Sequence, residues 1–295
     1  MAVVFCGREC LGDVEVKKSI TYWAFKGGLE GEKDLNAALR EAKRFGYEGI
    51  ELTYHTSCGP LNPSTTQSDC EKILRYADQV GIEISSLASG LHWDYSPTSD
   101  DPDVRKQAKA HAKKAIQIAN WMKLNRLLYV PGMVDVFFNP SVPVVPYDAV
   151  WKRATTVTKA LLPTAEKNKV TLCVENVWTK FLYSPLEYRD FIDQFSSKYI
   201  KACFDVGNCV LMGYPEQWIR ILGKRVKLVH FKDFKAEVGN VSGFCDLGEG
   251  SVDWKAVMSA LRKTGYRGYC TAEMIPYKPG LVRKTSNTMD KIFNL

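Results

Sequence analysis

Short apolar runs alternate along this chain with longer segments in which apolar residues recur at helical spacing. The runs predict eight strands, at residues 19–25, 49–52, 82–87, 126–130, 170–175, 200–205, 226–230 and 268–273. The segments between and after them predict eight helices, at residues 33–45, 70–80, 103–122, 147–168, 185–195, 215–222, 252–264 and 282–293. Apolar residues spaced three and four apart give each helix one buried face, which can cover a sheet.

This regular alternation predicts a parallel sheet, because each helix returns the chain to the start of the next strand. Eight such units close into a (β/α)8 barrel, so we expect an α/β TIM-barrel catalytic domain over residues 19–295, preceded by an N-terminal extension at 1–18. The strand-to-helix connections are long, at 53–69, 88–102, 131–146 and 232–251, and the return connections are short. In such barrels the long connections surround the functional site.

Composition and charge exclude some classes of protein. The formal net charge is +7 over 295 residues, and the basic side chains are spread over the helices, so no nucleic-acid partner is expected. No apolar run approaches the ~18 residues of a membrane-spanning helix, so no membrane partner is expected either. The nine cysteines form no C-x-x-C pair, and several lie in predicted strands, which indicates reduced thiols in a cytoplasmic protein.

Two of the long connections invite specific predictions. Residues 134–147 are apolar, with Phe137, Phe138 and three prolines, which predicts either a cover for the site or a contact in a homo-oligomer. Residues 239–250 hold four glycines and Glu249, which fits a mobile lid and an irregular connection equally.

Each of the last four predicted strands ends in a side chain that can bind a metal ion. These residues are Glu175, Asp205, His230 and Glu273. Neighbouring strands lie about 4.8 Å apart, so the four side chains share one arc of the barrel rim. Three carboxylates and one imidazole are a donor set for one divalent cation, Mn²⁺ first and then Mg²⁺, Co²⁺ or Zn²⁺. The alternative is a ring of salt bridges.

Glu175 and Glu273 are the predicted catalytic residues. They come from separated strands and would face each other across the barrel mouth. Two carboxylates on opposite sides of one carbon can remove a proton from one face and return one to the other. A metal ion would act as a Lewis acid and stabilise the enediolate between these steps. The arrangement predicts inversion at a carbon next to a carbonyl.

Two uncharged residues near the strand ends are candidate substrate contacts. His92 follows the third predicted strand and could touch substrate oxygens, or it could be a loop histidine without that role. Trp23 could wall the pocket, although large aromatic residues also serve packing.

Charged residues supply two further candidates for substrate binding. Lys232 points the same way as His230, because strand side chains alternate. Its ammonium could bind a substrate oxygen or phosphate, or pair with Asp233 or Glu51. Glu51 ends the second predicted strand and could contact substrate or form an ion pair.

Several of these segments resemble a known family. They are the segments at 204–208 (FDVGN), 230–233 (HFKD), 246–254 (DLGEGSVDW) and 272–274 (AEM). They look like the xylose isomerase-like TIM-barrel superfamily, and most like its L-ribulose and L-xylulose 5-phosphate 3-epimerases and, more distantly, its tagatose- and psicose-type 3-epimerases. The resemblance implies a Glu–Asp–His–Glu metal site, matched here by Glu175, Asp205, His230 and Glu273, and proton transfer by the two glutamates. It implies a small sugar or sugar phosphate as substrate.

Two positions depart from the pattern of the free-ketose 3-epimerases. Those enzymes usually have a histidine where this chain has Asn208, and an arginine shortly after the metal-binding histidine, where Lys232 and Lys235 stand here. Asn208, a further candidate substrate contact, resembles the sugar-phosphate branch more closely.

Three other functions remain open at this stage. The same metal and base could serve a lyase acting on a keto-sugar, such as an inosose dehydratase or a keto-glycoside-cleaving enzyme. A phosphodiesterase of the endonuclease IV type shares the barrel, but its chemistry uses more metals and more histidines. This chain has four histidines in all, which argues against that function. A non-catalytic sugar-binding barrel would have a pocket without bound metal.

Overall fold

Each predicted strand region pairs with its neighbours in a closed parallel barrel. The computed structural model describes residues 16–136, 139 and 141–295. The barrel strands are β1 (Val16–Thr21), β2 (Gly49–Tyr54), β3 (Glu83–Ser89), β4 (Arg126–Tyr129), β5 (Thr171–Glu175), β6 (Ile200–Asp205), β7 (Val226–Phe231) and β10 (Gly268–Ala272). Two short strands, β8 (Asp233–Phe234) and β9 (Phe244–Cys245), pair antiparallel outside the barrel.

Helices follow the barrel strands and cover its outside. They are α1 (Leu35–Arg44), α2 (Gln67–Val80), α3 (Leu91–Asp94), α4 (Pro102–Trp121), α5 (Tyr147–Asn168), α6 (Pro185–Asp193), α7 (Val206–Cys209), α8 (Pro215–Leu222), α9 (Trp254–Thr264) and α10 (Leu281–Phe293). The strand order around the barrel is β1-β10-β7-β6-β5-β4-β3-β2, and β1 pairs with both β2 and β10 to close it. The predicted (β/α)8 architecture is confirmed.

The first strand differs from its prediction at both ends. It begins at Val16, before the predicted start of the barrel at residue 19, and residues 1–15 of the predicted extension lie outside the described part of the chain. It ends at Thr21, which is the last residue of β1 with a partner in β2. The buried run Tyr22–Ala24 is a 3₁₀ turn. An apolar run alone cannot distinguish a buried strand from a buried turn, because both bury every side chain.

Helix ends follow the local chemistry of the sequence. Thr66 and Asp69 form a capping box at the start of α2, so two otherwise unpaired backbone N–H groups are satisfied. Asp253 caps α9 in the same way, since its side chain accepts a hydrogen bond from the Ala256 N–H. Gly81 and Gly265 end these helices with φ of 74° and 72°, a conformation that glycine adopts without strain. These caps keep the return connections short, as predicted.

The barrel interior holds a small apolar layer directly under the strand ends. It contains Cys173, Cys203 and Leu228, all fully buried, together with Leu128 and other apolar side chains. Each of the first three lies two residues before a predicted metal ligand, so strand alternation places it on the same interior face, one layer lower. The thiols of Cys173 and Cys203 are free and act here as small apolar groups. The four candidate ligands therefore stand on a packed floor.

The connections after the strands carry the residues above this floor. The 232–251 connection is partly ordered by pairing of Asp233 with Cys245 and of Phe234 with Phe244. In the apolar connection at 134–147, Val134 donates a hydrogen bond to the Thr179 carbonyl, while Phe137 and Phe138 lie outside the described residues. None of the helices in the described part has the length and apolar character that crossing a bilayer demands.

Candidate functional site

Four buried side chains converge at the carboxyl end of the barrel. Glu175 and Asp205 are the last residues of β5 and β6, His230 is next to last in β7, and Glu273 directly follows β10. One potential ligand atom from each lies within 4.8 Å of the others. The parallel register produces this convergence, because Asp205 pairs directly with His230 and the backbone N–H of Glu273 bonds to the Phe231 carbonyl at 3.1 Å.

An asparagine side chain fixes the end of β6. The Asn176 side-chain amide donates to the Asp205 carbonyl, and its oxygen accepts from the Asp205 backbone N–H, both at 2.8 Å. Asp205 Oδ1 in turn accepts the Asn208 N–H at 2.7 Å and caps α7. Its other oxygen, Oδ2, is buried and receives no hydrogen bond from the described residues, although it lies 3.2 Å from the Lys232 ammonium. An incompletely satisfied buried carboxylate oxygen is what a cation site requires.

His230 is held between two carboxylates. Its Nδ1 lies 2.9 Å from Glu273 Oε2, on the side of the other candidate ligands. Its Nε2 lies 3.1 Å from Glu51 Oε1, and Ser86 Oγ donates to Glu51 Oε2 at 2.7 Å. A carboxylate that accepts one ring N–H fixes the orientation of a metal-binding histidine and raises its basicity. Glu51 is therefore the ion-pair partner of His230, with its carboxylate fully buried.

Lys232 places a cation among the same carboxylates. Its ammonium lies 2.7 Å from Glu273 Oε2 and 3.2 Å from Asp205 Oδ2, so the predicted pairing with Asp233 or Glu51 is wrong. Lys232 and His230 contact the same glutamate oxygen, as strand alternation predicts. The backbone of Gly207 passes so close that a Cβ there would lie 2.5 Å from the Lys232 Cβ. A residue larger than glycine at 207 would displace this lysine.

Burial and mutual repulsion separate the pKa values of the two candidate catalytic glutamates. Burial, assisted by the negative charge of Glu273, raises the pKa of Glu175 to about 8. Burial also disfavours ionised Glu273, but the positive charges of Lys232 and His230 outweigh it and lower the pKa of Glu273 to about 2. At neutral pH the pair thus holds one carboxylic acid and one carboxylate.

The same environment shifts the pKa values of the other two candidate ligands, Asp205 and His230. Burial raises the pKa of Asp205 above its usual value. Burial disfavours protonated His230, but the carboxylates of Glu51 and Glu273 outweigh it and raise the pKa of His230 well above 6.5. These pKa shifts reflect burial away from water and the close packing of charged groups of both signs.

The donor set fits a divalent cation. Four buried carboxylates, those of Glu51, Glu175, Asp205 and Glu273, face only two cationic groups, Lys232 and His230, among the described residues of the cluster. This charge balance adds to the effect of burial, which raises the pKa of Glu175 to about 8. Oxygen ligands with one imidazole suit Mn²⁺, Mg²⁺, Co²⁺ or Zn²⁺. Glu175, Asp205, His230 and Glu273 would hold such an ion.

A cavity of about 470 Å³ opens above these side chains. Of the predicted substrate contacts, Trp23, His92, Asn208 and Lys232 line it, whereas Glu51 lies beneath His230 and does not. The 232–251 connection contributes Val241, Phe244 and Cys245 to the lining, so it covers one side of the cavity. The described residues of the 134–147 connection contribute none.

His92 presents a neutral imidazole to this cavity. Its side chain is 3% exposed, and neither ring nitrogen has a hydrogen-bond partner within the described residues. Burial lowers the pKa of His92 to about 3, more than the nearby Glu273 charge can offset. The two nitrogens can donate one hydrogen bond and accept another, which suits a substrate hydroxyl or carbonyl.

Two residues that shape the site have only a weak signal in the sequence. Asn176 fixes the end of β6, and its only sequence signal is an amide directly after a strand-end carboxylate. The Asp233 carboxylate, 1% exposed, accepts hydrogen bonds from the Gly248 N–H at 2.9 Å and the Trp254 indole at 3.1 Å. Its position at the end of the HFKD stretch could have indicated this, because the apolar run stops there.

Comparisons with known proteins agree with this architecture. A family model described as "Xylose isomerase-like TIM barrel" matches residues 39–291. The putative L-ribulose-5-phosphate 3-epimerase SgbU of Escherichia coli K12 is 27% identical over 200 residues, which span 66% of this chain and 68% of that protein. L-ribulose-5-phosphate 3-epimerase UlaE of Shigella flexneri serotype 5b is 24% identical over 242 residues, 80% of each chain.

A solved structure gives the same result for the fold. D-psicose 3-epimerase of Clostridium cellulolyticum H10, determined with D-tagatose, superposes with a TM-score of 0.77 at 17% identity, over 94% of this chain and 98% of that one. At this identity the likeness concerns the fold alone. The relatives are sugar epimerases, in agreement with the resemblance in the sequence motifs. The chain belongs to the xylose isomerase-like TIM barrel family.

Proposed function

We propose that this protein is a divalent-metal-dependent epimerase or isomerase of a sugar or sugar phosphate, of the ketose 3-epimerase type. One observation carries the proposal: four ligand atoms lie within 4.8 Å of one another at the floor of a cavity, and two of them belong to glutamates. Names of the relatives support the sugar substrate. Mn²⁺ is the first choice of metal, and the buried free thiols favour the cytoplasm as its compartment.

The two glutamates would transfer the proton. Glu175 is the last residue of β5, and Glu273 directly follows β10. Because β6 and β7 lie between these two strands in the barrel, the glutamates approach the cavity from different sides. Glu273, whose pKa is lowered, is suited to remove a proton from the carbon next to a ketose carbonyl, and Glu175, whose pKa is raised by burial, is suited to return one. A divalent cation in the site would stabilise the negative charge that develops on the substrate oxygens.

The neighbouring side chains would position the substrate. His92 offers a neutral donor and acceptor for a hydroxyl or carbonyl, and the buried side-chain amide nitrogen of Asn208 has no hydrogen-bond partner in the part of the chain that the structure describes. Each group would then find in the substrate the hydrogen bond that the protein leaves unmade, which contributes to orientation as well as affinity.

The experiment is deuterium incorporation from D₂O into candidate ketoses and ketose phosphates, followed by proton NMR. We expect exchange next to the carbonyl that is lost in EDTA and restored by Mn²⁺. Glu175→Gln and Glu273→Gln should each lower the exchange rate about 10²- to 10⁴-fold. The matched control is Glu71→Gln, a change to an exposed glutamate of α2.

Two results would contradict the proposal. Exchange at a near wild-type rate in either glutamine variant would eliminate the two-carboxylate mechanism. A product lighter by one water or by an aglycone would indicate a lyase, because an epimer has the mass of its substrate.

A further inference from the structure

The cavity has a polar floor and an apolar upper wall. Glu175, Glu273, Lys232, Asn208 and His92 form the floor. The side chains that form the wall share an apolar or aromatic surface, and they include Leu29, Trp93, Val177, Trp178, Val241 and Phe244. A ligand that matches both parts has one polyhydroxylated end and one apolar end.

The aromatic part of the wall is fixed by contacts of its own. The Trp178 indole N–H donates to the Asn208 carbonyl at 2.9 Å, so this polar edge is already engaged. Its ring lies 5.0 Å from that of Phe244 and 5.2 Å from that of Phe234, and Phe234 and Phe244 lie 5.1 Å apart. Phe234 supports the other two rings from behind, and Trp178 and Phe244 line the cavity, so they can contact a ligand with little loss of side-chain entropy on binding.

The rim of the cavity is apolar and exposed. Leu29 is 48% exposed and Val241 is 51% exposed, and both line the cavity. Large apolar side chains that surround a cavity while open to solvent mark a surface that a ligand covers. Both are open to solvent, whereas the carboxylates of Glu175 and Glu273 are buried, so a substituent that reaches solvent would pass these two residues.

The cavity is larger than a simple ketose requires. A volume of about 470 Å³ corresponds to roughly 15 water-sized groups, whereas a pentulose has roughly ten non-hydrogen atoms. The remaining space could hold a phosphoryl group or an apolar substituent of similar size. Volume alone does not distinguish them, so the chemistry of the lining decides.

The described residues of the cavity lining offer no uncommitted cation for a phosphate. Lys232 is the one lysine or arginine among the described residues that line the cavity, and its ammonium already pairs with Asp205 and Glu273. A phosphate needs several charge-assisted hydrogen bonds, and here it would instead meet carboxylates at one end and aromatic rings at the other.

The geometry points to a keto-sugar with an apolar aryl or alkyl substituent, that is, a keto-glycoside, as the substrate of this site, in place of a free or phosphorylated ketose. This inference rests on the proposed function for the chemistry at the floor. The sugar ring with its carbonyl occupies the polar floor. The substituent lies against the rings of Trp178 and Phe244 and reaches the rim at Leu29 and Val241.

The test uses the Mn²⁺-loaded protein and two pairs of compounds. Phenyl and methyl 3-keto-D-glucoside share the ring carbonyl and differ in the substituent, and L-ribulose 5-phosphate and L-ribulose differ in the phosphate. Dissociation constants are measured by titration calorimetry, and deuterium exchange by NMR. We expect the phenyl compound to bind at least tenfold more tightly than the methyl compound, since it buries one more aromatic ring, and the phosphate to give no gain.

Variants separate the wall from the floor. Val241→Ser and Leu29→Ser should each reduce the preference for the phenyl compound several-fold, because they should weaken binding of the phenyl compound more than binding of the methyl compound. Leu186→Ser is the matched control, because Leu186 is 52% exposed and lies outside the cavity lining. Equal affinities for the phenyl and methyl compounds would overturn the inference, and so would a tenfold gain from the phosphate.

Failure of the proposed function has a different outcome. In that case none of the four compounds exchanges deuterium. The ratio of the dissociation constants of the phenyl and methyl compounds would still test whether the apolar wall binds the substituent. Exchange with L-ribulose 5-phosphate as the best substrate would retain the proposed function and overturn the inferred substrate class.

Discussion

The Lys232 ammonium lies 2.7 Å from Glu273 Oε2, and the same oxygen lies 2.9 Å from His230 Nδ1. The lysine also lies 3.2 Å from Asp205 Oδ2. Its charge therefore occupies part of the space in which a divalent cation would be bound by these carboxylates. Lys232 is both a neighbour of the candidate metal site and a competitor for two of its ligands.

Removing this charge should strengthen metal binding. We expect Lys232→Met to bind Mn²⁺ at least tenfold more tightly, about 1.4 kcal/mol, because Asp205 and Glu273 lose their competing cation. The measurement is calorimetric titration of the EDTA-stripped protein. Lys235→Met is the control, since Lys235 is exposed in the same connection. Unchanged or weaker Mn²⁺ binding in Lys232→Met would show that the ammonium does not compete with the ion.

The buried neutral imidazole of His92 should make the metal-free protein sensitive to acid. Burial lowers the pKa of His92 to about 3 from 6.5, so between these values the unfolded chain binds a proton that the folded protein does not. The contribution of neutral His92 to the free energy of unfolding is fully present above pH 6.5 and is lost as the pH falls toward 3. At pH 5 the loss from this residue should be about 2 kcal/mol.

Urea unfolding of wild type and His92→Phe at pH 7 and pH 5, in EDTA, measures this contribution. The variant lacks the titrating group. Its free energy of unfolding should therefore fall by about 2 kcal/mol less than that of wild type between pH 7 and pH 5. Other groups titrate equally in both proteins and cancel in the comparison. An identical loss in the two proteins would mean that His92 is protonated in the folded state.

The hydrogen bonds that Asp233 accepts should stabilise the folded conformation of the connection at 232–251, which covers the cavity. Its Oδ1 accepts the Phe234 N–H at 2.9 Å, and its Oδ2 accepts the Gly248 N–H and the Trp254 indole. In Asp233→Asn the amide NH₂ would face N–H donors, so buried donors lose their acceptor. We expect a loss of roughly 2 kcal/mol in the free energy of unfolding.

The control is Asp253→Asn, because Asp253 caps α9 and asparagine caps a helix about equally well. Chemical denaturation of both variants gives the comparison. Gly250 provides a second test, since a Cβ there would lie 2.1 Å from Asp233 Oδ1. If Asp233→Asn and Asp253→Asn unfold at the same urea concentration, the hydrogen bonds to Asp233 are not important for stability.

Several elements could be predicted closely from the sequence. The bounds of β6, α5 and α8 agree with the prediction at both ends. In β6 the apolar run is ended by an aspartate, and α8 begins with a proline and is followed by Gly223, so the sequence itself marks the ends. The first strand lacks such a marker at Tyr22, because aromatic residues suit both a strand and a buried 3₁₀ turn.

The candidate site could be predicted in part. Strand alternation and parallel register place Glu175, Asp205, His230 and Glu273 at one end of the barrel, and both are local properties. The partners of Lys232 and Glu51 could not be predicted. Glu51 meets His230 from β2 across the barrel interior, 179 residues apart in sequence. Such contacts depend on barrel closure and on side-chain rotamers, which the pattern of residues does not specify.

The sequence by itself determined the barrel and the chemical types of residue at its carboxyl end, because short-range periodicity and parallel pairing leave few alternatives. Only the tertiary structure decided that Lys232 pairs with Glu273 and Asp205, that Glu51 supports His230, and that Trp178 and Phe244 make the upper wall apolar. These contacts join residues distant along the chain. Their distances follow from how the strands close and how the connection at 232–251 folds back over the cavity.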